Sequence, residues 1–408
     1  MMLCVGIITG LVSLTLLVVA HELGHFLAAK LSGVEVEEFG IGFPPRAVAW
    51  RKVDGKWRRL KKKEWHGKER KDIVGDGLII SLNYLPIGGF CQMKGESDAA
   101  QTKGSFGRAS WFNKTKILFA GVAMNWLVAV VLLTILALVG MPQFMEGQFK
   151  VAQDTRLVTL KPVKIETIMQ DSPADRAGLK KDDEVVSVGL VGEAQTAIKT
   201  SQDLLQFDQK AAGKTVDVTI KREGKEFSKE VKLNPQTESY ILGASISGEA
   251  VQVSTWSAPL VGIGTTLQLT GETFKGVFSL LHELTVGLAR QLNFDAKVRQ
   301  SGANALKAAG DAVSGPVGII GVLFPAFMAG GPTKLLFLVA IISISLAVMN
   351  VLPIPALDGG RWFLISLFKL RKKKLTQAKE EKIVGRAMLV ILLLAIVVTI
   401  LDVVRMVR

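Results

Sequence analysis

Residues 3–29, LCVGIITGLVSLTLLVVAHELGHFLAA, decide how this chain is read. Nothing before Glu22 is charged, and the run is broken only by His21-Glu22-Leu23-Gly24-His25. About 20 apolar residues at 1.5 Å each cross the hydrocarbon of a bilayer as a helix. A cleaved leader needs a basic start and a small-residue cut site after its apolar core. Here the start is uncharged, and a cut near Ala20 would fall beside the polar cluster, so residues 3–28 are expected to form a retained transmembrane helix. On that helix His21 and His25 stand one turn apart on one face and reach a single metal ion, with Glu22 beside them as a base for bound water. Two imidazoles and a carboxylate held in a membrane helix without a partner would cost several kcal/mol, which argues against a merely structural pair.

The rest of the chain fits a membrane protein. Of 408 residues, 49% are hydrophobic and 21% charged, with a mean hydropathy of +0.34, which excludes a disordered polymer and is too apolar for an ordinary soluble enzyme. Further spans are expected over 117–138, 335–352 and 387–404. Residues 28–115 carry 17 Lys/Arg and 10 Asp/Glu, residues 364–386 carry 8 and 2, and residues 140–333 carry 20 and 21. Basic loops stay in the cytoplasm, so the two basic segments are expected inside, with the middle segment and both termini outside. Without aromatic interleaving or a recognisable module, the basic runs read as membrane flanks and not as a nucleic-acid surface. Cys4 and Cys91 form neither a disulfide framework nor a CxxC site.

In the outer segment, residues 160–240 read as an α+β domain. Strands are expected at 163–168, 184–188, 216–220 and 227–233, with Arg222-Glu-Gly-Lys225 as a hairpin turn. Ser172-Pro173 starts a short helix ended by Gly178, and 201–210 reads as a surface helix. The run SPADRAGLKKDDEVVSV, residues 172–188, resembles the start of a PDZ domain of bacterial membrane proteases. Such domains usually carry glycine where Asp182 stands, so a slightly different turn is expected there. The resemblance implies a groove that accepts or screens peptide ends by strand addition; a steric gate without a ligand is the alternative. Residues 270–290 read as a partly amphipathic helix for the membrane interface or for the globular domain, and 319–328 as a surface or re-entrant element too short to cross.

Two histidines are too few ligands, because a catalytic zinc site takes three protein groups and leaves one position for water. His66 lies in a charged loop and His282 in the outer region. Asn350-Val-Leu-Pro-Ile-Pro-Ala-Leu-Asp358-Gly-Gly360 breaks a helix at membrane depth, where irregular backbone is tolerated only inside protein or beside a wet cavity. Asp358 is therefore the expected third ligand. Counting from Lys30 as the inner end of the first helix, His21 lies about 14 Å deep.

HELGH, Gly121-Val-Ala-Met-Asn125 and NVLPIPALDGG, in that order along the chain, resemble the bacterial site-2 protease family of intramembrane zinc metalloproteases. The resemblance implies Zn²⁺ on His21, His25 and Asp358, Glu22 as catalytic base, and Asn125 and Asn350 holding substrate backbone or a developing oxyanion. It also implies that 33–50 and 85–94 form a membrane-associated hairpin and edge strand, with Gly88, Gly89, Phe90 and Met93 binding an unwound substrate helix. Implied substrates are single-pass membrane proteins such as anti-sigma factors or remnant signal peptides, cut after an upstream site-1-type protease, in a bacterial inner or plasma membrane. The charged insert 51–76, with Trp57 and Trp65, departs from the family core and is expected as a surface hairpin near anionic lipid. Val122-Ala123 replaces a frequent proline, which loosens the expectation of a kink in the second span.

The expected fold is thus a polytopic helical membrane protein of four spans with a membrane-associated β-hairpin and an extracytoplasmic PDZ-like domain. Its divisions are 1–139, 140–250, 251–333 and 334–408. Two rival functions remain on sequence alone. A membrane-anchored PDZ scaffold with a non-catalytic metal site would have no use for Glu22 beside a metal. A zinc transporter often shows an inverted repeat, and the halves show none.

Overall fold

The computed structural model describes residues 2–53, 55–65, 77–145, 147–237, 240–311 and 314–407. The chain divides into two units, Met1–Leu132 with Thr266–Arg408, and Leu133–Thr265.

The first unit opens with α1 (Met2–Leu31), followed by β1 (Val36–Val53), β2 (Lys56–Arg59), the single turn α2 (Lys62–Trp65) and β3 (Ile79–Met93); α3 (Trp111–Val139) then begins. β1 and β3 are both bent, so each contributes two segments to the sheet. Ala49 and Trp50 pair with Ser81 and Ile80, while Phe39, Gly40 and Ile41 pair with Cys91, Phe90 and Gly89. On its other side, the 39–41 segment pairs with Ile80, Ser81 and Leu82. This leaves the 89–93 segment of β3 at the margin of the sheet, against α1. The β1–β2 hairpin forms as expected from the insert, but its two tryptophans part company. Trp57 is exposed, whereas Trp65 is buried with Ala49, Leu60 and Ile79, so only the first faces outward. Residues 66–76 of that insert, including His66, lie outside the described residues.

In the second unit the strands are β4 (Met141–Pro142), β5 (Arg156–Ile168), β6 (Glu184–Leu190), β7 (Thr196–Ala197), β8 (Thr215–Arg222), β9 (Lys225–Lys232) and β10 (Ala244–Val253), with α4 (Pro173–Arg176) and α5 (Ser201–Ala211) between them. The sheet order is β4-β10-β5-β6-β8-β9, with β7 beside β6. Ser172 caps α4 with Pro173 at its first position, and Thr200 and Asp203 close a reciprocal capping box on α5. The hairpin turn at 222–225 puts Glu223 and Gly224 at φ 51° and 82°, the pair of positive values that a two-residue hairpin loop requires. Asp182 takes φ 70°, the conformation glycine would adopt, and its N–H bonds to the Ile165 carbonyl at 2.8 Å. The turn is therefore kept despite the substitution. Asp183 beside it is fully buried and paired with Arg222 through two bonds of 2.6 and 2.7 Å. Burial alone would raise the Asp183 carboxyl; the Arg222 guanidinium and the Lys180 N–H outweigh it and hold the group below its ordinary range. β10 was not expected: residues 244–253 lack strict alternation, yet they pair with the whole of β5.

The last elements are α6 (Ala258–Gln291), α7 (Ala296–Asp311), α8 (Pro316–Gly318), a π turn (Ile319–Leu323), α9 (Phe324–Ala329), α10 (Pro332–Val351), α11 (Asp358–Leu370) and α12 (Gln377–Val407). The helix expected at 270–290 starts twelve residues earlier, at Ala258, where Gly262 and Gly264 admit Thr134 and the Phe149 ring against the helix. Residues 316–329 form a short apolar helix, too short to span. Gly6 and Gly10 of α1 let Pro325 and Phe324 pack against bare backbone, the small-xxx-small approach of membrane helices. Asp402 of α12 accepts the Gly315 and Gly318 N–H groups at 3.2 and 2.8 Å, satisfying donors that a buried helix start would otherwise leave open. Among the described residues, α1, α3, α10 and α12, with mean hydropathies of 2.3 to 3.0 over their most apolar windows, are the four helices both long and apolar enough to cross a membrane. α3 runs unbroken through Val122-Ala123.

Candidate metal centre

Two close helix approaches build the site. Within HELGH, Gly24 has no side chain where a Cβ would fall 2.3 Å from the Ala120 carbonyl oxygen of α3. From the other side, a Cβ on Gly121 would lie 2.6 Å from the Nε2 atoms of both His21 and His25. The two glycines therefore let α3 lie directly under the imidazoles. Neither contact is written in the local sequence, where Gly24 and Gly121 are glycines inside helical runs, residues that cost stability unless packing needs them.

Asp358 arrives from the far end of the chain. After α10 the backbone turns through Leu352–Leu357, and Gly359 and Gly360 allow that turn to fold onto the start of α11: a Cβ at either would stand within 2.2 Å of the Val351 or Ile354 carbonyl oxygen. Asp358 becomes the first residue of α11. Its Oδ2 lies 3.0 Å from His21 Nε2 and 3.2 Å from His25 Nε2, and the two Nε2 atoms are 3.1 Å apart. Donors bound at 2.0–2.1 Å around a tetrahedral ion stand about 3.3 Å from one another, so this triangle has the size of one face of such a site.

Proton bookkeeping points the same way. His25 Nδ1 lies 2.8 Å from the Ile117 carbonyl oxygen, an acceptor only, so Nδ1 carries the hydrogen. A neutral ring then turns the Nε2 lone pair toward His21 Nε2 and a carboxylate, an arrangement that a cation completes. At His21 the Asn125 amide stands 3.3 Å from Nδ1, while the Asn125 Oδ1 is buried without a hydrogen-bond partner. With the amide's oxygen and nitrogen exchanged, Oδ1 accepts from the His21 Nδ1–H, leaving Nε2 of His21 free as a ligand. His21, His25 and Asn125 are all buried. The donor set and its tautomers therefore fit zinc.

Other expected site residues take less central places. Glu22 faces the Cys91 backbone of β3, and its Cγ lies 3.8 Å from the position of a Cβ on Gly89. The 89–91 segment of β3 thus passes beside the expected base. Asn350 donates its amide to Leu346 O at 2.9 Å, within its own helix. His282 is exposed and takes no part.

The profile of "Peptidase family M50" matches residues 9–60 and 74–395. The chain belongs to peptidase family M50. A protein named as a candidate zinc metalloprotease of Clostridium acetobutylicum is 31% identical over 98% of this chain and 97% of its own length. A similarly named protein of Clostridium perfringens is 28% identical over 98% of each. Among solved structures, the PDZ domain of the SdrC-like protein of Listeria monocytogenes matches 22% of this chain and 90% of its own, at 23% identity and a TM-score of 0.19. As an M50 protein with four apolar spans and a His-His-Asp cluster, the chain is a membrane-embedded zinc metalloprotease of the site-2 type.

Proposed function

We propose that Glu22 is the general base, and that the enzyme cuts peptide bonds within or near the transmembrane segments of single-pass membrane proteins. The carrying observation is that Glu22 sits beside both the ligand cluster and the margin of a sheet. Bound to His21, His25 and Asp358, zinc supplies an acidified water and polarises the scissile carbonyl. Glu22 takes the proton of the attacking water and returns it to the leaving amine. Gly89, Phe90 and Met93 lie on the marginal segment of β3, with Gly88 immediately before it, and this segment offers backbone pairing to an extended substrate. A transmembrane helix must be unwound to be cut, and strand addition restores the hydrogen bonds it loses. Asn125 orients His21, and Asn350 is the residue left to meet the substrate or the developing oxyanion.

The basic flanks assign the β1–β3 sheet and the α11–α12 loop to the cytoplasm and the PDZ-like unit and both termini to the other side, in a bacterial inner or plasma membrane. A cavity of about 840 Å³ in the PDZ-like unit, lined by Leu205, Asp208, Tyr240, Gly243 and Ser245, suits a peptide end between α5 and β10. Remnant signal peptides or anti-sigma factors trimmed by an upstream protease are the substrate classes that the site-2 resemblance suggests. The test is cleavage of a reconstituted single-span substrate by wild type and Glu22→Gln, with zinc measured on both. Zinc retained and cleavage reduced about 10²–10⁴-fold supports the assigned base; undiminished cleavage refutes it.

A further inference from the structure

A second cavity, of about 780 Å³, lies well away from the metal centre. Trp111, Lys114, Lys369, Lys373, Lys374 and Gln377 are among the residues lining it. Trp111 begins α3 and Gln377 begins α12, so the cavity lies at the basic-flank ends of two spanning helices, six and ten residues before their apolar runs over 117–138 and 387–404. Lys369 is eleven residues beyond Asp358, about 16 Å along α11 at 1.5 Å per residue.

The charges in it are not balanced. Lys114 is buried and committed, bonding to Asp98 at 2.5 Å and to Gly107 O at 2.7 Å. Lys369, Lys373 and Lys374 are exposed and make no ion pair among the described residues. The ammonium of Lys369 stands 5.0 Å from the centre of the Trp111 ring, and the indole N–H bonds to Ser366 Oγ at 3.0 Å, which fixes the ring as one wall. α11 ends with Lys372 at φ 51°, a left-handed position that favours glycine, and Lys373 N–H closes the turn onto Phe368 O. The lining also includes apolar Ile365, Phe368 and Leu375, of which Ile365 and Leu375 are buried.

Cations and apolar side chains at the basic-flank ends of two spans match the headgroup and first chain carbons of an anionic lipid. We infer that this cavity binds the phosphodiester headgroup of an anionic membrane phospholipid, held by Lys369, Lys373 and Lys374 against Trp111. The inference rests on the four-span reading and not on the protease chemistry.

The experiment counts lipid retained by the full-length protein in native mass spectrometry after detergent exchange from phosphatidylglycerol or phosphatidylcholine. Wild type is expected to retain phosphatidylglycerol and not phosphatidylcholine. Joint replacement Lys369→Gln, Lys373→Gln and Lys374→Gln is expected to weaken retention roughly fivefold per lysine. The joint arginine replacement at those positions keeps the charge and is expected to keep the lipid, which guards against a folding defect. Zinc content equal to wild type in each variant separates a lost lipid site from a damaged metal centre. Glutamine at Lys225, Lys229 and Lys232 of β9 is expected to change nothing. Equal retention by the joint glutamine variant, or loss of lipid by the arginine variant, overturns the inference. Displacement of the lipid by inorganic phosphate alone would assign the cavity to a free anion and also overturn it.

Discussion

At position 121 the difference between hydrogen and methyl decides whether two histidines can share an ion. A methyl there would sit 2.6 Å from both Nε2 atoms, and relief requires either imidazole to leave the triangle. Gly121→Ala is expected to lower zinc occupancy at least tenfold in the purified protein, by metal analysis, without loss of the four-span fold. Asn125→Leu removes the acceptor for the His21 Nδ1 hydrogen at nearly constant volume; zinc affinity is expected to fall about 10–100-fold, measured by chelator competition. Unchanged affinity would return Asn125 to a substrate role. These two residues also mark how far the sequence reaches. His21, Glu22 and His25 are legible because helical spacing is a local rule, and Asp358 because a carboxylate among prolines and glycines at membrane depth has few other uses. Gly24, the Ile117 carbonyl and the tautomer role of Asn125 are not legible, because each exists only once α1 and α3 touch.

Among elements, α5 and β10 of the second unit carry a pH signature. Asp208 is buried on α5 with no hydrogen-bond partner among the described residues, and burial pushes its carboxyl up to about 7. Between the ordinary value of 3.8 and about 7 the folded unit holds a proton that the unfolded chain releases, so stability falls as pH rises through that window. Hydrogen exchange on the full chain, corrected for intrinsic rates, is expected to show lower protection of α5 and β10 at pH 8 than at pH 5. Asp208→Asn should flatten the difference; an equal slope in the variant would contradict the assignment. The elements of this unit were legible where local grammar is strong, as at the Ser172 and Thr200 caps and the 222–225 turn. β10 is not legible because its pairing with β5 is long-range, and the first turns of α6 are not because the close contacts of Gly262 and Gly264 exist only in the folded unit.

For the whole molecule, the central claim is that residues 337 positions apart in sequence close on one ion. Four spans follow from hydropathy alone and would survive its failure, whereas the protease reading would not. The β1–β3 sheet was legible in outline, but its bends and the marginal place of residues 89–93 come from pairings no local pattern encodes. The most direct measurement is zinc-edge X-ray absorption on the purified full-length protein and on Asp358→Ala. The wild type is expected to show two imidazole nitrogens and a carboxylate oxygen at about 2.0–2.2 Å, with the oxygen of Asp358 lost in the variant. Identical spectra from the two proteins, or a site without imidazole, would contradict the account.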